Sequence, residues 1–372
     1  MKRIATLALA CFLLAAWPFC YPLPTETKFF GYFENRFFLL NQASGSDGNG
    51  QFKIGDYNRL RLMAEMAPSE KVNLNIAVDL FTFHGIVQSP LGVTVDGQTP
   101  AANETDRIDL DRAYVDFYLK KLDITVGKQR VALGVSYIWA PLDIFNRVNL
   151  FEPKEEKPGA TAVKVYWPVS GKTSLTGVFA PESDFRTSKS ALRAQTQAGT
   201  VDIGLTLMRW GTLNETIYGI DLRGENFIGW WLEGGRFVSP ASTSYKLVAG
   251  FDYTFPVRTG LYWLGEFFYD SSGTPDPLQY DFQKLVDSER FTLGRAYFFS
   301  LLRYAFSEFL SASVAYIGNW QDGSFLINPS LSYDLTQSLN LSAGLYLPAG
   351  GARGEFSQRR QNVFFLWLKM NF

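Results

Sequence analysis

The twelve residues from Gln361 to Phe372 constrain the fold more than any other stretch of the chain. One alternate set is Asn362, Phe364, Leu366, Leu368, Met370 and Phe372, apolar from its second member onward. The set between them, Val363, Phe365, Trp367, Lys369 and Asn371, ends in polar groups. A repeat of two with unlike sides is an extended strand with two different faces. A soluble strand of this kind rarely stops on an exposed Phe carboxylate.

The segment resembles the closing strand of outer-membrane β-barrels, which ends in Phe with aromatic or aliphatic residues at alternate positions upstream. That resemblance implies that every other segment is an amphipathic strand and that the chain is exported. The opposite end agrees. Lys2 and Arg3 precede an apolar run from Ile4 to Ala16, broken only by Thr6. The run suits a signal peptide and is too short for a transmembrane helix. Residues 1–20 are read as the signal, cut between Ala16 and Cys20, and 21–372 as one barrel domain.

Composition narrows the class. Cys11 and Cys20 both lie in or beside the signal, so the mature chain has no disulfide framework. A formal net charge of −1 argues against a nucleic-acid partner. Phe, Tyr and Trp make up 16% of the chain, yet mean hydropathy is only −0.04. No later stretch approaches the length of a helical membrane span. Aromatic-rich and half-polar is the signature of a barrel that is oily outside and wet inside.

The expected fold is therefore all-β: a transmembrane antiparallel β-barrel of about eighteen strands, sixteen being possible, with periplasmic termini. The first strand is expected from Phe29 to Leu40, with Phe29, Phe33, Phe37 and Leu39 outward and Glu34 and Arg36 inward. The second, about Phe52 to Ala67, turns at Pro68-Ser69-Glu70 and returns with Val72, Leu74, Ile76, Val78 and Leu80 outward. Asp106–Lys120 and Leu122–Leu133 follow, and then the longest interruption, Gly134 to Gly159. Short and long connections alternate along most of the chain, as periplasmic turns and extracellular loops do. No plug domain or periplasmic repeat domain is expected ahead of the first strand. A barrel of this size leaves a lumen wide enough for water. The expectation is an outer-membrane channel for passive diffusion of small hydrophilic solutes.

Val126-Gly127-Lys128-Gln129-Arg130, followed by Trp139-Ala140-Pro141-Leu142-Asp143 and Asn146, is the most distinctive stretch. It resembles a Gly-Lys/Arg-Gln strand and Trp-x-Pro-x-Asp-x-x-Asn loop of several porin-like families, including relatives of alginate-export barrels. Leu133-Gly134 stands where those families often carry Trp-Gly, so the match is partial and implies no particular solute. Trp139, Pro141, Ile144 and Phe145 offer apolar anchors for a loop that folds into the lumen and narrows it. Asp143 and Asn146 suit a cap or turn.

The charges can be placed by parity. An even-sum register from Pro68 sets Arg59 opposite Asp79, with Arg61 one pair nearer the turn. Lys128 and Arg130 share the parity of Ile124 and Val126, and cations facing lipid cost about 2–4 kcal/mol each near the midplane. A bulge at Gly127 would turn both into the lumen. With Arg59, Arg61 and Arg112 they would form a basic ladder facing Asp79, Asp116, Asp252, Glu266 and Asp270, with a lean toward anionic or hydroxyl-rich solutes. The bland alternative is that these ions pair off and stiffen the wall.

A hydrolase is the rival class, with His84, the single His of the chain, as its base. Gly85-Ile86-Val87-Gln88-Ser89 after it resembles no nucleophile arrangement. A structural or adhesive barrel is the third reading. No metal-ligand cluster, phosphate-binding Gly loop or covalent-cofactor motif is present, so no cofactor is expected. The expected partners are outer-membrane lipid, small solutes and, through the C-terminal strand, the barrel-assembly machinery; the oligomeric state stays open.

Overall fold

The structure, a computed structural model, describes residues 26–42, 51–85, 106–146, 157–282, 292–351, 353–357 and 361–372. The expected signal peptide and both cysteines lie outside the described residues, as do 147–156 of the long interruption. Eighteen strands form one sheet. They are β1 (Glu26–Gln42), β2 (Gln51–Ser69), β3 (Val72–Gly85), β4 (Arg107–Tyr118), β5 (Asp123–Gln129) and β6 (Ala160–Pro168). Next come β7 (Thr173–Ala180), β8 (Lys189–Ala198), β9 (Val201–Trp210), β10 (Glu215–Glu225), β11 (Gly229–Val238) and β12 (Thr243–Phe255). The last six are β13 (Leu261–Asp270), β14 (Ala296–Ala305), β15 (Leu310–Asn319), β16 (Phe325–Asp334), β17 (Leu339–Ala349) and β18 (Asn362–Asn371). Each strand pairs antiparallel with its chain neighbours, and β18 returns to pair with β1. The sheet is closed.

Closure leaves no strand without a neighbour on either side, so ladder N–H and C=O groups pair between strands all the way round. The last residue takes part: Gly31 N–H donates to Phe372 O at 2.9 Å, and Phe372 N–H donates to Gly31 O at 3.0 Å. Alternation assigns the faces as the sequence suggests. On β18, Phe364, Leu366, Met370 and Phe372 are exposed, while Val363, Phe365 and Trp367 are buried inside.

Two register expectations need correction. Arg61, not Arg59, stands opposite Asp79, and Arg59 stands opposite Phe81. The ladder shifts between Met66 and Ser69, so the hairpin turns at Glu70-Lys71 rather than pivoting on Pro68. The displacement is two residues, which keeps each face correct. The second correction concerns Gly127. The pairing of β5 with β4 and β6 runs unbroken through it, with Lys128 opposite Ala113 and Thr161. No bulge turns the chain there, and Lys128 stays in the row of Val126. The bulge lies on β4 instead, where Ala77 faces Arg112 but Val78 faces Leu110, leaving Asp111 as the extra residue. Lys128 Nζ donates to the carbonyl of Leu110 beside that bulge, at 2.6 Å. Arg130 is exposed while Gln129 and Val131 on either side of it are buried.

The interior is partly filled. One cluster of buried side chains gathers inward residues of β1, β2, β11 to β18, including Phe38, Tyr57, Trp231, Tyr297 and Phe365, around Trp139. A second gathers Val178, Ala191, Met208, Ile217 and Phe237 around Leu142, Ile144 and Phe145. Both centre on the long connection after β5.

The closing seam gives a direct test. A Cβ on Gly31 would lie 2.2 Å from Arg61 O and 3.0 Å from the Phe372 ring. Gly31→Val is expected to destabilise the barrel by about 1–3 kcal/mol through overpacking. A lower urea midpoint for the compact, heat-modifiable gel species would show it.

Candidate functional site

Beyond Gln129 the chain leaves the wall and enters the lumen. Val131 and Leu133 are buried, and Val131 N–H donates to Asn146 Oδ1 at 2.6 Å. Gly134 turns the backbone with φ of +89°, and a Cβ there would meet the Glu233 carboxylate at 2.5 Å. Only glycine combines that left-handed conformation with that close approach.

Two carboxylates on the far wall then hold the loop. Glu233 on β11 accepts N–H bonds from Val135 (2.7 Å), Ser136 (2.9 Å) and Leu142 (2.8 Å). Glu266 on β13 accepts from Tyr137 (2.6 Å) and Ile138 (2.8 Å), and from Trp231 Nε1 (2.7 Å). A non-regular segment carries unsatisfied backbone donors, and a buried carboxylate lacks water; each supplies what the other needs. Trp231 reaches Glu266 across Gly250, where a Cβ would stand 2.2 Å from the indole.

Side chains complete the attachment. Leu142 is wholly buried. It fills a dimple left by Gly219 and Gly235, which face each other in the ladder; a Cβ on either would come within 2.6 Å and 3.2 Å of its methyls. Trp139 stacks on Phe268 with ring centroids 5.5 Å apart. Asp143 N–H donates to Ala140 O at 2.9 Å, and Asp143 in turn accepts from Asn146 N–H at 3.3 Å. Lys157 Nζ pairs with Asp143 at 2.5 Å, and Asn146 Nδ2 donates to Pro158 O. Burial pushes the Asp143 carboxyl up to about 6, with the Lys157 ammonium opposing the rise. Trp139, Pro141, Asp143 and Asn146, the residues expected at a constriction, are thus brought together inside the barrel. Asp143 and Asn146 fasten the loop to itself, while Trp139 and Pro141 line a pocket with Trp210, Phe237, Lys246 and Asp270.

Five of the seven wall residues expected to set selectivity lie on inward rows, and each is engaged by a wall neighbour. Arg59 grips Asp79 with two bonds, 3.0 and 2.9 Å. Arg61 bridges Asp79 at 3.1 Å and Asp111 at 2.5 Å. Arg112 Nε is 3.4 Å from Asp111. Asp116 accepts from Thr125 Oγ1 at 2.7 Å. Lys128 stands apart from this row, because the register does not shift at Gly127, and Arg130 lies just past the end of β5 and is exposed. Cations the parity argument did not name come forward instead. Arg36 pairs with Glu34 at 2.7 Å and lies over the Trp367 ring at 4.6 Å, and Lys369 Nζ lies over Tyr32 at 4.0 Å. Arg36, Arg59 and Lys369 share a lumenal pocket with Glu34, Ser332, Asn340 and Ser342.

Two functional carboxylates escaped the sequence reading altogether. Glu233 shares the row of Trp231 and Phe237, so alternation alone pointed it inward; nothing local indicated its partner. Glu355 gave no signal. It belongs to the connection before β18 and accepts from Leu293 N–H (3.1 Å), Asn319 Nδ2 (2.9 Å) and Tyr297 OH. Burial pushes its carboxyl up to about 7, helped by nearby Asp322. Among the described residues no cluster of three His, Cys, Asp or Glu side chains could hold a metal ion.

No protein-family model and no curated protein sequence matches the chain. Solved structures do match. OccK9 (OpdG) of Pseudomonas aeruginosa is 13% identical, with 93% of this chain and 98% of that chain covered and a TM-score of 0.61. OccAB1 of Acinetobacter baumannii is 7% identical, with 94% and 97% covered and a TM-score of 0.59. The outer membrane protein OpdK of Pseudomonas aeruginosa is 10% identical, with 94% and 99% covered and a TM-score of 0.57. The likeness is one of fold. It extends over nearly the whole of each barrel, so the strand number and closure found here are those of a recurrent architecture.

Two tests follow from the attachments. Glu233→Ala and Glu266→Ala each strand several N–H donors, and bonds to a charged acceptor contribute about 1.5–3 kcal/mol apiece. Either change is expected to release the loop while the wall stays folded, seen as new protease cleavage between 134 and 146. Glu355 gives a pH dependence. Its folded pKa of about 7 exceeds the ordinary 4.5, so between those values the folded state binds the extra proton. Stability of this attachment is full below the ordinary value and is lost as pH rises through about 7. Hydrogen exchange at 353–357, corrected for intrinsic rates, is expected to be slower at ~pH 5 than at ~pH 8. Glu355→Gln should remove the difference.

Proposed function

We propose that the chain is an outer-membrane channel for passive diffusion of small hydrophilic solutes, narrowed by the 134–146 segment. The observation that carries this reading is the pairing of a closed eighteen-strand wall with a loop fixed inside it through its backbone N–H groups by Glu233 and Glu266. A barrel built only to hold loops outside the membrane has no need to bring one across its lumen. The names of the similar structures, one of them described as an outer membrane protein, support the location. Under this reading the short turns face the periplasm and the long connections face outward.

The finer proposal concerns charge. Glu34 matches Arg36 and Asp79 matches Arg59, so Lys369 gives the lumenal pocket its excess positive charge, beside the hydroxyls of Ser332 and Ser342. That supports a preference for anionic or hydroxyl-rich solutes. Within the expected basic ladder, Arg61 is fully buried between two aspartates, so it serves the wall more than the solute. A structural or adhesive barrel is the rival reading. A hydrolase is the third reading; His84 pairs at 3.5 Å with Asp56, whose alternate neighbours Phe52 and Ile54 are exposed on the outer face.

Planar-bilayer recording tests the proposal. Purified protein is expected to conduct, and deletion of 136–146 to raise the conductance; a silent barrel would leave the structural reading standing. Lys369→Glu is expected to move the reversal potential toward cations. Arg61→Gln is expected to cost about 3–5 kcal/mol of stability by removing the cation buried between Asp79 and Asp111, with folding lost before selectivity changes.

A further inference from the structure

The outward rows of this barrel are largely apolar, with single cations such as Lys128 of β5, but on β1, β2 and β3 a linked polar patch interrupts them. Tyr57, Arg59 and Arg61 of β2 are buried inward, so the alternate set faces out, with Phe52, Ile54 and Leu62 exposed at 67%, 57% and 45%. Asp56 and Asn58 belong to that outward set. Asn58 stands opposite Asn35 of β1 and Thr82 of β3, and Asp56 stands opposite His84. Their side chains are linked. Asn35 Nδ2 donates to Asn58 Oδ1 at 2.8 Å, and Asn58 Nδ2 donates to Thr82 Oγ1 at 3.1 Å.

This patch is not the rim of the apolar band. Phe52 and Ile54 lie beyond it on β2, Phe37 and Leu39 beyond it on β1, and Phe33, Leu60 and Leu80 lie on its other side. Asp56 is the least satisfied member. Its nearest partners stand at 3.4 Å (Asn35), 3.4 Å (Asn58) and 3.5 Å (His84), and its Oδ1 accepts no hydrogen bond among the described residues. A carboxylate and a run of amides facing hydrocarbon are costly unless another polar surface covers them.

We propose that this patch is the contact face of a two-fold dimer, its occupant a second copy of this chain. The arrangement itself selects that occupant. Asp56 and His84 are neighbours in one row of the ladder. A two-fold axis along the membrane normal between β2 and β3 therefore sets each Asp56 against the second copy's His84. The same axis sets each Asn58 against the second copy's Thr82. The surface is complementary in donors and acceptors to its own rotated image, as a closed symmetric contact requires. Each Asp56 thereby gains a donor at the oxygen that lacks one.

The test uses the full chain in lipid, with Cys11 and Cys20 replaced by Ser. Asn58→Cys is expected to form an oxidised dimer, while Leu205→Cys, exposed on the distant β9 face, is not. In detergent the unaltered protein should show the mass of two barrels. The triple change Asn35→Leu, Asp56→Leu, Asn58→Leu should halve that mass while heat-modifiable migration is retained. Should the triple variant fail to fold, His84→Leu at the exposed strand end is expected to lose dimer mass with its fold intact. A single-barrel mass for the unaltered protein, or equal cross-linking at Asn58→Cys and Leu205→Cys, would overturn the proposal.

Discussion

Hydrocarbon offers no partner to a backbone N–H or C=O, and the whole molecule follows from that. A sheet in lipid has to close, and this one closes with its final residue, Phe372 bonded in both directions to Gly31. Closure creates an interior, and the period of two fills that interior with one side chain in every pair. The wall therefore carries two sequences at once, one written for lipid and one for the lumen. Most inward rows combine a charged residue with an aromatic, as Glu34 and Arg36 with Phe38, or Glu233 with Trp231 and Phe237.

The same demand for partners explains the loop. A segment without a ladder of its own brings unpaired N–H groups into a space that is only partly wet. Glu233 and Glu266 meet them as acceptors, and Leu142 fits where Gly219 and Gly235 withhold side chains. No cation neutralises these two carboxylates in any bond described here; oriented peptide dipoles do so instead. The opposite wall follows a different rule. There Arg59, Asp79, Arg61 and Asp111 form an alternating chain of full charges. The loop is thus held by dipoles, while ion pairs such as Arg59–Asp79 and Arg193–Asp221 tie the strands of the wall to one another.

How much of this was legible depended on range. Strand existence and face came from alternation, which is local, so Phe364 to Phe372 and Arg59 to Arg61 were readable from neighbouring residues. Strand count followed from turn spacing. Register was harder: the turn at Glu70-Lys71 and the irregularity between Met66 and Ser69 together set Arg59 two residues from Asp79 without disturbing any face. At Gly127 the energetic argument was sound but the remedy differed. The bulge formed one strand earlier, at Asp111, and Lys128 bent its ammonium to the freed carbonyl of Leu110. The loop's apolar anchors were visible in Trp139 and Ile144, whereas its polar anchors were not. Tyr137 and Glu266 are 129 residues apart, and no local pattern links them.

That separation also orders events in time. The 134–146 segment finds its acceptors only on β11 and β13, and its apolar socket only where β10 meets β11. None of these surfaces exists while the chain is still extended beyond β5. Contacts of such long span are slow to form, because a large loop must close before any bond rewards it. The wall is therefore the mould and the loop the casting. The segment reaches its final seat only once β10, β11 and β13 have come together.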